Sequence, residues 1–257
     1  MHCFSFDIET IPDVDSGRLL YDLDGLSDDD VGTAMRFMRL QQTGSDFLPL
    51  HLQRVVAISV AFRTGDSFKV WSLGDRDADE AEIIGRFFEG VERYSPELVS
   101  WNGSGFDLPV LHYRALKHGI QAPRYWETGD HDREFRYNNY LSRFHWRHID
   151  LMDVLAGFQP RGRASLEQIA VMLGFPGKLG MSGDKVWDCW LDGGIDDIRN
   201  YCETDVLNTH LVYLRFQLMR GELDEKRLDR EYELVRSTIE AMGESHLEEF
   251  LKAWQAG

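Results

Sequence analysis

Cysteine is scarce in these 257 residues: Cys3, Cys189 and Cys202 are the only three. None forms a CxxC pair and the count is odd, so neither a disulfide framework nor a cysteine zinc site is indicated, and a reducing cytoplasm is the expected compartment. No apolar run approaches the ~20 residues that a membrane helix needs. Met1-His2-Cys3 leads straight into a strand pattern, without the basic segment and apolar core of a signal peptide. Positive charge is also short. Lys and Arg number 28 against 44 Asp and Glu, a formal net charge of −16, which excludes a protein that coats duplexes through a broad basic surface. Walker loop, Rossmann glycine fingerprint and nucleophile elbow are all missing, as are internal repeats, low-complexity tracts and a linker between domains.

What remains is a chain with 43% hydrophobic and 12% aromatic residues, enough for one large core. A single domain over residues 1–257 is expected. Residues 3–9 alternate, Phe4, Phe6 and Ile8 against Ser5, Asp7 and Glu9, which predicts a strand with one buried face and both acids on the exposed side. After Pro12 the stretch 13–30 is rich in Asp, Gly and Leu, and 29–43 reads as a short amphipathic helix, so about 13–50 looks like an insertion. Two β-rich runs, Arg54 to Phe62 and Ser67 to Leu73, flank a hairpin turn at Arg63-Thr64-Gly65-Asp66. Helical periodicity covers about 78–94, and a short strand, Leu98 to Trp101, runs into Asn102-Gly103-Ser104-Gly105 and a helix from Phe106 or Asp107. A further strand is expected near His148 to Leu151, with helices at 164–173, at 195–220 and, as one long charged element, at about 224–253. This order predicts an α/β fold in which antiparallel first strands and a parallel later strand form a mixed sheet flanked by helices.

Three places carry chemistry. Asp-x-Glu occurs three times, starting at Asp7, Asp132 and Asp229, but only the first lies on an alternating apolar strand, where a two-residue spacing aims both carboxylates at one point above the sheet. Asp107 follows a glycine-rich turn at the carboxyl end of a strand, where open α/β sheets place ligand groups and where Asp also serves as a helix cap. Tyr201 is the only one of nine tyrosines with an Asp four residues later, so Tyr201 and Asp205 share a helix face one turn apart. Val206 and Leu207 adjoin Asp205, which sets an acid beside the buried boundary, an expensive location for an unpaired charge.

The segments Phe6-Asp7-Ile8-Glu9-Thr10, Asn102-Gly103-Ser104-Gly105-Phe106-Asp107 and Tyr201-Cys202-Glu203-Thr204-Asp205 resemble the three exonuclease motifs of the DEDD superfamily, in its tyrosine-bearing branch. They are most similar to the proofreading exonuclease domain of family B DNA polymerases. The histidine branch is disfavoured, because Asn200 stands five residues before Asp205 and Tyr201 four before it. The resemblance implies a ribonuclease-H-like fold and a 3′-5′ exonuclease acting on the 3′ end of single-stranded nucleic acid, with DNA favoured. It implies two Mg²⁺ or Mn²⁺ ions: Asp7, Glu9 and Asp205 on one, Asp7 also on the second, and Asp107 acting through bound water, while Tyr201 orients the attacking water. Thr10, Asn102 and Phe106 would meet the terminal nucleotide, and Lys178 and Met181 would line the cleft. Because the chain ends at Gly257, a stand-alone version is expected rather than proofreading in cis. An exoribonuclease that trims RNA 3′ ends is the near alternative, since discrimination rests on how the 2′-hydroxyl is met. A non-catalytic nucleic-acid-binding module ranks below both.

Residues 133–148 interleave Arg133, Arg136, Arg143 and Arg147 with Phe135, Tyr137, Tyr140, Phe144 and Trp146, a composition suited to phosphate contact and base stacking as well as to inward packing. His148 and Asp150 read as structural.

Overall fold

The computed structural model describes residues 2–256. Among these, five strands, β1 (His2–Pro12), β2 (Gln53–Thr64), β3 (Ser67–Ser72), β4 (Glu97–Ser100) and β5 (His148–Asp150), form one sheet in the order β3-β2-β1-β4-β5. The first three are antiparallel, with β2 and β3 joined by the tight turn at Gly65-Asp66; β4 and β5 run parallel to β1. This is the mixed, ribonuclease-H-like sheet anticipated from the order of elements.

Ten α-helices among the described residues surround it: α1 (Val14–Tyr21), α2 (Asp28–Thr43), α3 (Glu80–Tyr94), α4 (Asp107–His118), α5 (Leu151–Leu155), α6 (Leu166–Met172), α7 (Val186–Leu191), α8 (Ile195–Met219), α9 (Glu225–Met242) and α10 (Ser245–Ala256). On one face of the sheet Phe4, Phe6 and Ile8 pack against Ile84, Phe87 and Leu111 of α3 and α4. On the other, α8 lies across β1 and β2 and is itself covered by α9 and α10, so nearly all its residues from Ile198 to Gln217 are buried.

That second layer corrects the expectation of one buried face on β1. Ser5 is fully buried and Glu9 nearly so, because α8 covers the side of the strand that carries the acids. The 224–253 element also differs: Gly243, at a φ of +67°, ends α9, and α10 starts two residues later. The positive φ suits glycine, and the break lets the chain fold back over α8. Within the expected insertion, residues 14–21 form a helix ahead of the one expected at 29–43, with Asp13 accepting from the Ser16 N–H at its start. Val14, Val31 and Met35 join Trp187, Ile198 and Tyr201 in a third apolar cluster. The insertion is thereby anchored to the helix that bears Tyr201 and Asp205.

Candidate active site

The acids sit where the sheet opens. The β1–β4 ladder runs only from Cys3 to Ser5, so β1 continues past its parallel neighbour and carries Asp7 and Glu9 beyond it. Against β2, the register shifts between Glu9 and Thr10, leaving Val56 as an extra residue. Such a bulge bends the strand next to the site. Asp107 is the first residue of α4, with Phe106 in the capping position, so it does not serve as the cap itself.

The turn before it demands its glycines. A Cβ on Gly103 would collide with Ser100 Oγ, and one on Gly105 would fall 2.5 Å from Asn102 Oδ1. Asn102 itself takes a φ of +68°, which Asn tolerates better than most residues. Asp150, at the end of β5, fixes the turn by accepting from the Asn102 and Ser104 N–H groups, both at 2.9 Å. Its neighbour His148 bonds Ser100 Oγ at 2.9 Å. Asp150 thus acts directly on the turn that carries Asp107.

From the other side, α8 brings Tyr201 and Asp205, the latter only 7% exposed. Asp7, Glu9 and Cys202 have side-chain donor atoms within 4.8 Å of one another. Burial raises Asp7 far above the ordinary carboxylate range, and Asp107, Glu9 and Asp205 push it further. Glu9 is raised in the same way by burial, Asp205 and Asp107, with Lys178 the opposing influence. Burial lifts Asp107 to about 7, although the Asp107 and Ile8 backbone N–H groups hold it back. Asp205 rises to about 6 through burial, opposed by the Tyr201 hydroxyl and Lys178. Asp107, Glu9 and Asp205 all act on Asp7, so the four carboxylates lie near one another. Burial, followed by Asp205, Glu9 and Asp7, pushes the Tyr201 hydroxyl far upward, so it keeps its proton.

The other expected residues fall around this centre. Lys178 Nζ lies 5.6 Å from the centroid of the Tyr201 ring, and Met181 lines a cavity of about 280 Å³ beside Tyr201. The Thr10 hydroxyl donates to Gln53 Oε1 at 3.0 Å, and Phe106 packs against Phe47. Sequence reasoning passed over Cys202, whose thiol donates to the Asp7 carbonyl at 3.4 Å, though it lies inside the Tyr201–Asp205 span. It also passed over Gln53 and Phe47, for which no spacing or periodicity gives a signal. The basic and aromatic tract turns partly inward: Phe135 and Tyr140 are buried, and Arg124 and Arg147 cover the Phe135 ring at 4.2 and 4.0 Å. Tyr137 and Phe144 remain exposed. A larger cavity, about 980 Å³, lies at the free edge of β3 between α3 and α9, and none of the four carboxylates lines it.

A ribonuclease-H-like sheet with acids on its first strand, at a strand-to-helix turn and on a late helix is an arrangement suited to an exonuclease. The chain belongs to the family of predicted 3′-5′ exonucleases related to the exonuclease domain of PolB, which matches residues 45–254. Among curated proteins, it is 25% identical over 174 residues to a DNA polymerase of Archaeoglobus fulgidus, a match covering 66% of this chain and 21% of the polymerase. It is 24% identical over 150 residues to the catalytic polypeptide of DNA polymerase epsilon from Schizosaccharomyces pombe, covering 54% of this chain and 6% of that polymerase. A 45-residue stretch is 44% identical to DNA polymerase 1 of Saccharolobus solfataricus, 18% of this chain and 5% of the polymerase. The chain thus spans about a fifth or less of these relatives. Asp7 and Glu9 precede the family match, and it is the fold that sets them beside Asp107 and Asp205. No helix among the described residues is long and apolar enough to cross a membrane.

Proposed function

We propose that this exonuclease hydrolyses the terminal phosphodiester at the 3′ end of single-stranded nucleic acid, DNA in preference to RNA, and releases nucleoside 5′-monophosphates with the help of two divalent cations. The observation that carries this reading is the concentration of negative charge in one buried pocket without matching positive charge. Asp7, Glu9, Asp107 and Asp205 each raise a neighbour or are raised by one, and Lys178 opposes the rise at Glu9 and Asp205.

The donor set fits hard cations. All four groups offer carboxylate oxygen, the ligand type that Mg²⁺ and Mn²⁺ select. Asp205 Oδ1 is buried with no hydrogen-bond partner among the described residues, an arrangement that costs stability unless something binds it. Cys202 stands close, but its thiol donates to the Asp7 carbonyl, and sulfur is a softer ligand than these hard cations select. Asp7, Glu9 and Asp205 would hold the ions, with Asp107 assisting through water, and the ions when bound offset the charge of the phosphate and lower the pKa of the attacking water.

The protein's own groups do the positioning. Tyr201, held protonated, acts as a hydrogen-bond donor or acceptor that orients water and not as a base. Lys178, above the Tyr201 ring, meets the phosphate of the terminal nucleotide. Thr10, Asn102, Phe106 and Met181 border the acids and hold the sugar and base. An acidic surface then does not bar an anionic substrate, because the neutralising charge is concentrated at the reacting phosphate.

Matched DNA and RNA oligonucleotides, labelled at either end, test the reading in Mg²⁺, in Mn²⁺ and in chelator. The expected result is mononucleotide release from the 3′ end, faster on DNA, and abolished by chelator. Faster loss from RNA transfers the assignment to an exoribonuclease, and binding without turnover in any metal overturns the enzymatic mechanism at this site.

A further inference from the structure

The insertion approaches the acids along a second route, through Gln53 and the loop that follows α2. Gln53 is buried, accepts from the Thr10 hydroxyl next to Glu9, and donates through Nε2 to the Leu48 carbonyl at 3.1 Å. It therefore ties residues 47–48 to the strand that carries Asp7 and Glu9. The Phe47 backbone is held twice more: its carbonyl accepts from Arg39 Nε at 3.3 Å, and its N–H donates to Ser45 Oγ at 3.3 Å.

Phe47 is nevertheless 56% exposed. It packs with its centroid 5.7 Å from that of Phe106, the residue adjoining Asp107. Its other side lines a cavity of about 320 Å³, shared with Thr10, Gln53 and Arg36. Among the described residues of that lining Arg36 is the only cation, and it is set against the carboxylates Asp46 and Asp184.

An aromatic side chain on a fastened backbone, left open on one side, offers a base a stacking surface whose backbone ordering is already met by the fold. The geometry points to Phe47 as a second stacking platform, contributed by the insertion, that receives the penultimate base of the strand while Phe106 faces the terminal one, with Arg36 beside the intervening backbone. This inference rests on the exonuclease reading above. It gives residues 13–50 a part in substrate recognition: they set how the strand leading to the terminal nucleotide is held.

Steady-state hydrolysis of short single-stranded DNA by the whole protein tests it, with single abasic residues placed at the first, second or third position from the 3′ end. Phe47→Ala is expected to raise KM by about tenfold, the scale of one lost base–aromatic stack, with the change falling on KM more than on kcat. The wild-type protein should lose a similar factor when the second position is abasic, and Phe47→Ala should lose little more on that substrate. Phe47→Trp, which keeps an aromatic plane, should behave like the wild type and separates stacking from damage to the loop. Equal KM values for Phe47→Ala and wild type, or an undiminished abasic penalty in Phe47→Ala, overturns the platform. Absence of turnover in the wild-type protein overturns the exonuclease reading itself, a different and separable result.

Discussion

Two buried clusters of charge in this molecule use the same residue types to opposite ends. In one, Arg114, 1% exposed, donates through Nε to Glu80 at 2.6 Å and through Nη1 to Asp13. Lys117 also reaches Asp13, at 2.8 Å, and His118 reaches Glu80 at 2.7 Å. Burial alone would raise the Asp13 carboxyl, but hydrogen bonds from Lys117, Ser16 and Arg114 outweigh it and hold the group below the ordinary carboxylate range. In the other, burial first and neighbouring acids after it leave Asp7, Glu9, Asp107 and Asp205 all raised. Burial is common to both clusters; compensation is not. The first cluster joins the start of the insertion to α3 and α4 and is complete in itself, whereas the second is left with a deficit of positive charge that a ligand can meet.

Five measurements break or sharpen that contrast. The largest effect belongs to Asp7→Ala, expected to reduce exonuclease turnover by on the order of 10³-fold or more in single-turnover assays, because several groups acting as a unit fail together. Its unfolding midpoint without metal should stay level or rise, since one of several repelling carboxylates is removed; a large loss of stability would mark Asp7 as a structural acid. Next, Arg114→Ala should cost about 3–5 kcal/mol in denaturant unfolding, as Glu80 and Asp13 are left buried without their partner. A loss below about 1 kcal/mol would mean that water reaches this cluster.

Third, Mg²⁺ or Mn²⁺ at about 100 times its dissociation constant should stabilise the protein by about 2.7 kcal/mol, and Asp205→Asn should weaken that gain. The pH dependence gives the same contrast in another form. Asp107 and Asp205 are raised to about 7 and about 6, so the folded state holds their protons more tightly than the unfolded chain does. Their contribution to stability is complete below about pH 4 and is lost as pH rises through 6 and 7. Asp13, held low, contributes in the opposite sense: its share is present above about pH 4 and is lost as pH falls. Metal-free unfolding measured from pH 4 to 8 should therefore show a decline that added Mg²⁺ flattens, and a metal-free midpoint that climbs toward pH 8 would contradict the raised carboxyls. The smallest effect is expected of Asp150→Asn, which keeps one acceptor but weakens the bonds to Asn102 and Ser104. A loss of about 1 kcal/mol in stability is anticipated. A turnover fall of about tenfold would identify Asp150 as a positioning residue for Asp107.

Periodicity made β1 and α3 legible and a clear turn did so for the β2–β3 hairpin, whereas α8 is buried nearly all round and has no single apolar face. It failed where the structure hides the pattern. A single helix over 224–253 and two helices broken at Gly243 have nearly the same composition, and only packing over α8 selects the second. The alternation in β1 indicated a polar face but not that α8 would bury it, since burial of that face depends on residues two hundred positions away. In the tract 133–148, Phe135 and Phe144 carry the same chemistry in the sequence, yet one lies in the core and the other in solvent.

By itself the sequence determined which side chains could take part. Two-residue spacing on a strand and four-residue spacing on a helix fix local direction through backbone geometry alone, so Asp7 with Glu9, and Tyr201 with Asp205, were paired before any folding was considered. Tertiary structure alone decided that these pairs and Asp107 meet, that water is shut away from them strongly enough to raise their affinity for protons, and that Phe47 arrives alongside. Such convergence joins residues far apart in the chain, and it is set by how the sheet, α8 and the insertion pack, which no local pattern encodes.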